Sequence, residues 1–233
     1  MSRLDYGDPD FLRLIQNIDT IFAIQSGNLP ENVLPFLAYL PNSKGRKILN
    51  AYDDMSRYAR RRIKEHRETF DPNNTRDFVD LYLKAEEHED EEVVNEENMF
   101  RVIVDLFNAG TDTTATTLVW SILYLMNNPD VQDKCQKEIT KNVGSGRAVS
   151  LRDKERLQYL DATIKETLRL ASIGPRSCLG KHLAMMELFL FLGNLLQRFT
   201  FKIPPGCLTP SVERVHTGIT CQPHPYLVCV VPN

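Results

Sequence analysis

The chain has 233 residues, of which 42% are hydrophobic, and its formal net charge is −3. A chain of this size and composition can bury a core as one domain or as two small ones. Because the charge is slightly negative, we expect no bulk attraction to nucleic acid. The five cysteines are scattered and odd in number. This pattern favours a reducing compartment over a disulfide framework.

The first third of the sequence predicts peripheral helices. Charged residues interrupt the segment after Met1, so we expect no signal peptide and no N-terminal anchor. Apolar periodicity predicts helices over residues 8–25, 43–69 and 77–85. The second helix is rich in arginine, but glutamates interleave, which favours a solvated face over a nucleic-acid surface. Residues 86–97 are acidic and predict a solvated linker.

A very long helix is predicted from Glu96 to Asn127. No charge lies between Asp112 and Asn128, so we expect this part to run through the core. The alternative is a membrane span, but Asp105 and Asp112 would each cost roughly 2.5–3.5 kcal/mol near mid-membrane. Gly110 and several threonines lie mid-helix, where threonine hydroxyls can bond a carbonyl one turn back and bend the helix. Gly110 would also let a flat ligand approach the backbone.

Beyond the long helix, local signals predict two more helices. Asn128 should cap a helix that begins at Pro129 and ends near Gly144. Ser150 and Asp153 have the spacing of a capping box. A further helix over 160–170 places Glu166 and Arg169 three residues apart on one face, where they can form an ion pair.

The stretch from Ser172 to Lys181 carries the most specific chemistry. Gly174 and Gly180 bracket Cys178, and a predicted helix begins at Lys181 and runs to Leu196. The positive end of a helix dipole favours an anion, and therefore the thiolate form of Cys178. A thiolate in a glycine-lined loop suits a soft metal, for which haem iron is one candidate.

The C-terminal region predicts a small β hairpin. Residues 199–203 and 226–231 are typical of short strands. Residues 217–220 (Thr-Gly-Ile-Thr) are predicted to form the turn between them.

Three of these motifs resemble those of the cytochrome P450 monooxygenases of the animal microsomal type. Gly174, Arg176, Cys178 and Gly180 match the haem-thiolate signature Phe-x-x-Gly-x-Arg-x-Cys-x-Gly. The run Ala109–Thr114 is similar to the distal-helix motif of that family. Glu166 and Arg169 resemble its Glu-x-x-Arg pair. The motifs also occur in the order that the family shows.

The resemblance implies a mainly α fold with a small β hairpin, a partial cytochrome P450 fold. One long central helix and a buried helix after the cysteine loop would form its centre. Residues 1–233 would make a single incomplete domain. Residues 1–95 would supply peripheral helices and the acidic linker, and residues 96–233 would supply the core.

The resemblance also implies a site that binds haem b, with Cys178 as the axial thiolate ligand of the iron. Asp112 and Thr113 would deliver protons to dioxygen. Glu166 and Arg169 would form a structural pair behind the cysteine loop. The remaining cofactor contacts would come from Ala109, Gly110, Gly174, Arg176 and Gly180. Substrate contacts would come from Val104, Asp105, Ala109 and Ile219.

The implied reaction inserts one oxygen atom of dioxygen into a small apolar organic substrate. NADPH-cytochrome P450 reductase would be the electron donor, and Lys181 could add to a basic surface for it. The family works at the cytosolic face of the endoplasmic reticulum membrane. A chain without the anchor would associate with the membrane only peripherally, or would be cytoplasmic.

The sequence departs from the family pattern in two places. Ala171 stands where the signature has Phe, and Cys178 follows Arg169 after only nine residues, where the family carries many tens. Met1 corresponds to a point near the middle of a P450. We therefore expect a truncated form that lacks the N-terminal half and an internal segment.

Two other functions remain open from the sequence. One is a catalytically inactive P450 fragment or splice form without stable haem binding. The other is a zinc module, because Cys178 with His182 and Cys221 with His224 offer four suitable ligands.

Overall fold

The structure, a computed structural model, describes residues 7–25, 30–86, 94–171, 178–216 and 221–233. These ranges are mainly helical, which confirms the predicted fold class. The helices are α1 (Pro9–Gln25), α2 (Lys44–Glu68), α3 (Phe78–Glu86), α4 (Glu96–Asn127), α5 (Pro129–Asn142), α6 (Gln158–Leu170) and α7 (Lys181–Arg198). The strands are β1 (Phe199–Lys202), β2 (Arg214–His216), β3 (Cys221–Pro223) and β4 (Cys229–Pro232). Short 3-10 segments cover Pro30–Asn32, Pro35–Tyr39 and Leu151–Arg156.

The chain divides into two compact units, residues 1–109 and residues 110–233. The boundary falls inside α4. Predicted helix bounds agree with the observed ones to within about two residues, because each helix has a strong apolar period. The predicted division of one domain at residue 95 stays a prediction.

Unit 1 is stabilised by a stripe of buried apolar side chains on α1 and a second such stripe on α2. Leu14, Ile18 and Ile21 of α1 are almost fully buried. On α2 the buried positions recur every four residues, which is the spacing of a single helix face. They are Ala51, Met55, Ala59 and Ile63. The two stripes meet and form the main apolar cluster of this unit.

The basic face of α2 is largely neutralised by acidic partners. Arg57 pairs with Asp54, and Arg60 pairs with Glu97 at 2.7 Å. Arg61 pairs with Asp10. These ion pairs explain the arginine-rich sequence as a solvated face and favour no nucleic-acid surface.

Unit 2 has the larger core, built from the C-terminal part of α4 with α5, α6 and α7. Trp120 and Leu123 of α4 are fully buried, as are Leu160 of α6 and Phe189 of α7. The prediction that the uncharged part of α4 runs through a core is therefore confirmed. None of the helices in the described ranges has the length and apolar character needed to cross a bilayer.

Contacts between distant residues join the elements of unit 2. The Glu138 carboxylate on α5 accepts the backbone N–H groups of Tyr159 and Leu160 at 3.0 Å, and so caps α6 from another helix. Gln132 exchanges two hydrogen bonds with the backbone of Phe201 in β1. The capping box at Ser150 and Asp153 is confirmed.

Three local predictions need correction. Asn128 occupies the N-cap position of α5 as predicted, but its side chain makes no capping hydrogen bond, because its amide Nδ2 donates to Tyr124 O at 2.8 Å. Helix α7 is not buried on every side, since the side chains of Leu183 and Phe191 are 56% and 53% exposed. Strand β1 pairs antiparallel with β4, but the residues around 217–220 form a separate pair, β2 with β3. The turn residues themselves lie outside the described ranges.

Candidate functional site

The motif segment of α4 is exposed although it lies in the middle of the longest helix. Ala109, Gly110 and Ala115 are all exposed, whereas Asp112 and Thr113 are half-buried. A Cβ placed on Gly110 would meet nothing within 4 Å. This stretch of backbone therefore borders open space that a flat group could occupy.

Hydroxyl groups just beyond the motif bond back along the helix. Thr117 Oγ1 donates to Thr113 O at 2.8 Å, and Ser121 Oγ donates to Thr117 O at 2.9 Å. Helix α4 nevertheless continues without interruption from Glu96 to Asn127. These bonds let polar residues lie in a helix interior without leaving their hydroxyls unsatisfied.

Two buried polar atoms, one directly before the motif and one at its last residue, were not singled out by the sequence reasoning. Asn108 Oδ1 and Thr114 Oγ1 are buried and have no hydrogen-bond partner among the described residues. A buried polar atom without a partner costs free energy, and native structures contain few of them. Each lies within one helical turn of Gly110, so the polar character of this segment is greater than the motif alone indicates.

The predicted substrate residues of α4 fall into two environments. Val104 is 5% exposed and belongs to the apolar cluster of unit 1. Asp105 and Ala109 are exposed. Ile219 lies outside the described residues.

Cys178 has an exposed free thiol just before the N-terminus of α7. Gly180 occupies the capping position of α7, and a Cβ there would meet nothing within 4 Å. Leu179 is 100% exposed. Gly174 and Arg176 lie outside the described residues. The sulfur of Cys178 is soft and accessible, and the backbone at Gly180 has open space beside it. Such a sulfur can serve as a ligand for a metal ion.

Glu166 and Arg169 form the predicted pair on one face of α6. Arg169 donates from Nε to Glu166 Oε2 at 2.8 Å and from Nη2 to Glu166 Oε1 at 2.6 Å. The guanidinium lowers the pKa of Glu166. Both side chains are more than half exposed, so water screens the pair.

A groove in unit 2 runs beside the motif. Its volume is about 580 Å³, and it lies between one face of α4 and residues 222–228. Asp112, Thr116 and Val119 line the α4 side. Tyr226 closes one end by donating its hydroxyl to Val119 O at 2.6 Å. Burial raises the pKa of Tyr226 to about 12.

The structure does not support the zinc module. Among the described residues, the side chains with metal-ligand spacing are His66, Asp77 and Asp80; Cys178 and the other predicted zinc ligands form no such group there. Asp80 is already bound by the Arg76 guanidinium, at 2.6 Å from Nε and 2.8 Å from Nη2. This cation would repel a metal ion, so the cluster is better explained as an ion-pair network.

Comparisons with known proteins agree with the motifs. The family model for cytochrome P450 matches residues 1–173 and 172–230. Cytochrome P450 2U1 of Mus musculus is 30% identical, and the alignment covers 98% of this chain and 57% of that protein. Cytochrome P450 2D4 of Rattus norvegicus is also 30% identical, and that alignment covers 99% of this chain and 61% of the rat protein. The chain belongs to the cytochrome P450 family.

A solved structure shows the same fold. A zebrafish cytochrome P450 determined with progesterone has a TM-score of 0.84 and 24% identity to this chain. The match covers 99% of this chain and 67% of the zebrafish chain. The chain spans little more than half the length of the curated relatives it matches.

The alignments also locate an internal difference. They extend over 303 to 307 positions, although the chain has 233 residues. The two family matches meet at residues 172–173, between α6 and Cys178. The relatives therefore carry a segment at this point that the chain lacks.

Proposed function

We propose that this chain binds haem b through Cys178 and provides the core of a haem-thiolate monooxygenase. The observation that carries the proposal is the exposed Cys178 thiol before α7 in a chain of the cytochrome P450 family. The open backbone at Gly110 and Gly180 is compatible with a flat, bulky group. The residues of the site therefore fit haem.

The chain's own residues would bind and orient the group. Cys178 would supply the thiolate ligand, and Arg176 would neutralise a propionate. The Cβ-free backbone of Gly174 and Gly180 would allow the group to approach the loop, and that of Gly110 would allow it to approach α4. When bound, haem supplies the activation of dioxygen and the insertion of one oxygen atom into the substrate.

Proton delivery is assigned to Asp112 and Thr113. Both side chains are half-buried, so water can reach them while α4 holds their positions. A carboxyl group one residue from a hydroxyl on one helix can pass a proton from solvent inward. In a haem-loaded chain with turnover, Asp112→Asn and Thr113→Val should each lower the rate by about 10²–10⁴-fold.

The substrate is proposed to be a small apolar organic molecule. Val104, Asp105, Ala109 and Ile219 would contact it. The groove beside Asp112 has room for such a molecule, since its volume of about 580 Å³ lies within the usual range for small-ligand sites. Electrons would come from NADPH-cytochrome P450 reductase, with Lys181 in its docking surface, at the endoplasmic reticulum membrane.

A second candidate function is a catalytically inactive fragment, and the exposure of apolar residues near Cys178 favours it. Leu179 is 100% and Leu183 56% exposed. These apolar side chains are uncovered close to the point where the relatives carry a segment that this chain lacks. In addition, both side chains of the Glu166–Arg169 pair are exposed.

Haem titration followed by absorbance separates the two candidates. The wild-type chain should bind haem saturably but weakly, so that haem is lost on gel filtration. Cys178→Ala should weaken binding at least tenfold. Cys207→Ala is the matched control, because Cys207 is also an exposed free cysteine, and it should bind as wild type does. Equal binding by Cys178→Ala would refute the proposed ligand, and no saturable binding would establish the inactive fragment.

A further inference from the structure

A second cavity lies within unit 1. Its volume is about 170 Å³, and it is enclosed by α2, the start of α3 and the N-terminal part of α4. Tyr58 and Ala59 come from α2, Phe78 and Val79 from α3, and Phe107 from α4. Almost all of its lining is apolar.

The cavity and the predicted substrate residues lie on different sides of α4. The helix contributes Ile103, Leu106 and Phe107 to the cavity, at the i, i+3, i+4 spacing of one face. Asp105 and Ala109 carry the predicted substrate contacts. Because each residue rotates the chain by about 100°, Asp105 points roughly opposite to the centre of the cavity face, and Ala109 points more than about 90° away from it. The cavity is therefore a separate site.

The cavity exists because the buried face of α2 has a small side chain, that of Ala59, between two larger ones. Ala59 lines the cavity, while its neighbours on the buried stripe of α2 are Met55 and Ile63. Both are almost fully buried and fill the space around them. Phe78 and Leu106 are 42% and 50% exposed, and they form a mouth through which a small molecule can enter.

Three polar side chains, Arg62, His66 and Asp77, also line the cavity, and each has a partner; Arg62 pairs with Glu65. His66 Nδ1 lies 3.0 Å from Asp80 Oδ1, and His66 Nε2 lies 3.5 Å from Asp77 Oδ2. Asp77 Oδ1 accepts the backbone N–H of Val79 at 3.1 Å. A charged ligand would lose its hydration and find an apolar wall, which is costly. The cavity therefore favours an uncharged occupant.

We propose that this cavity is a binding site for an uncharged molecule with a single aromatic ring. An apolar protein cavity of about 150 Å³ stays dry and binds benzene, and this one is only slightly larger. The rings of Tyr58, Phe78 and Phe107 line it, and aromatic rings pack well against each other in offset or edge-to-face arrangements. The site would be independent of haem.

Toluene is a suitable probe. With methyl-labelled full-length chain, NMR should show saturable shifts at Val79, Ile103 and Leu106 as toluene is added. Methyl groups in the core of unit 2, such as Leu123, should not shift. Absence of saturable shifts at the three cavity residues up to the solubility of toluene would overturn the proposal.

A filling variant tests the position of the ligand. Ala59→Met should lower the affinity for toluene at least tenfold by occupying the cavity. Ala51→Met is the matched control, because Ala51 is a buried alanine on the same stripe of α2 that does not line the cavity. It should leave the affinity unchanged. Equal affinities of the two variants would contradict the proposed site.

A variant with an enlarged cavity should bind a larger ligand better, so this test does not depend on a loss of binding. Val79→Ala removes two methyl groups from the wall, so the affinity for naphthalene relative to toluene should rise at least threefold. This ratio is measured on one folded sample and is insensitive to a general loss of stability. An unchanged ratio would exclude the cavity as the binding site.

Discussion

The two parts of α4 that belong to unit 2 differ sharply in their surroundings. From Trp120 to Met126 the helix supplies fully buried side chains to the core of that unit. From Gly110 to Ala115 it is half-buried or exposed, apart from Thr114. The first part is fixed by packing, whereas the second is fixed only by helix continuity. The part of α4 that belongs to the core is therefore tightly packed, whereas the part that carries the proposed active-site residues is open to solvent.

A substitution in the packed part of α4, from Trp120 to Met126, should change the free energy of unfolding most. Trp120 is fully buried, stacks on Tyr124 at 5.3 Å and donates to Cys221 O at 2.8 Å. Trp120→Ala should lower the free energy of unfolding by about 3–5 kcal/mol. Circular dichroism during urea unfolding measures this. A loss below about 1 kcal/mol, the level of a surface substitution, would mean that this part of α4 is not packed as described.

The second prediction concerns a buried carboxylate in the same unit. Asp153 is 3% exposed and accepts hydrogen bonds from Arg147, at 2.6 and 2.7 Å, and from Ser150. The Arg147 guanidinium holds the pKa of Asp153 well below its usual range. Asp153→Asn should lower the free energy of unfolding by about 1–3 kcal/mol at pH 7, because donors lose their anionic acceptor.

The sign of the pH dependence follows from that pKa. The folded-state pKa of Asp153 is below the unfolded value near 4, so its stabilisation is complete above pH 4 and declines as the pH falls towards the folded-state pKa. The difference between wild type and Asp153→Asn should therefore shrink between pH 7 and pH 3. Fluorescence of the single tryptophan, Trp120, follows unfolding at both values. An equal difference at both pH values would contradict this assignment.

Two helical glycines give a matched comparison of smaller size. A Cβ on Gly110 meets nothing, whereas one on Gly193 of α7 would lie 3.1 Å from Val149 and 3.2 Å from Leu160. Gly110→Ala should raise stability by up to about 1 kcal/mol, since alanine is the better helix former. Gly193→Ala should be the less favourable change of the two. In haem titrations Gly110→Ala should nevertheless weaken binding, because its methyl enters the open space.

The smallest effect is expected at Glu166 and Arg169. Both side chains are exposed, and surface ion pairs contribute little to stability. A double-mutant cycle with Glu166→Gln and Arg169→Gln should give no coupling beyond experimental error. A large coupling energy would show that the pair has further partners and a stronger structural role.

Much of the fold could be predicted because it is encoded locally. Helix α4 was predicted from Glu96 to Asn127 and is observed with the same bounds. The capping box at Ser150 and the pair at Glu166 and Arg169 also depend on residues three apart. In each case one turn of helix determines the contact.

Contacts between distant residues could not be predicted. The cap of α6 comes from Glu138, 21 residues before Tyr159. The network of His66, Asp80 and Arg76 joins two helices through side chains with no characteristic spacing.

The candidate site could be predicted only in part. Motif spacing identified Cys178 and Gly110, but the exposure of both depends on what packs around them. The buried, unpartnered Asn108 Oδ1 and Thr114 Oγ1 have no sequence signal, because burial of one atom is set by tertiary packing. The cavity beside Ala59 is likewise a product of three helices.

The central claim is that Cys178 is a haem ligand, and the carbon monoxide difference spectrum of the reduced, haem-loaded chain tests it most directly. The chain should be mixed with haem, reduced and measured before any separation step. We expect the thiolate-type band for wild type and for Cys207→Ala, and its loss in Cys178→Ala. A thiolate-type band that persists unchanged in Cys178→Ala would contradict the claim.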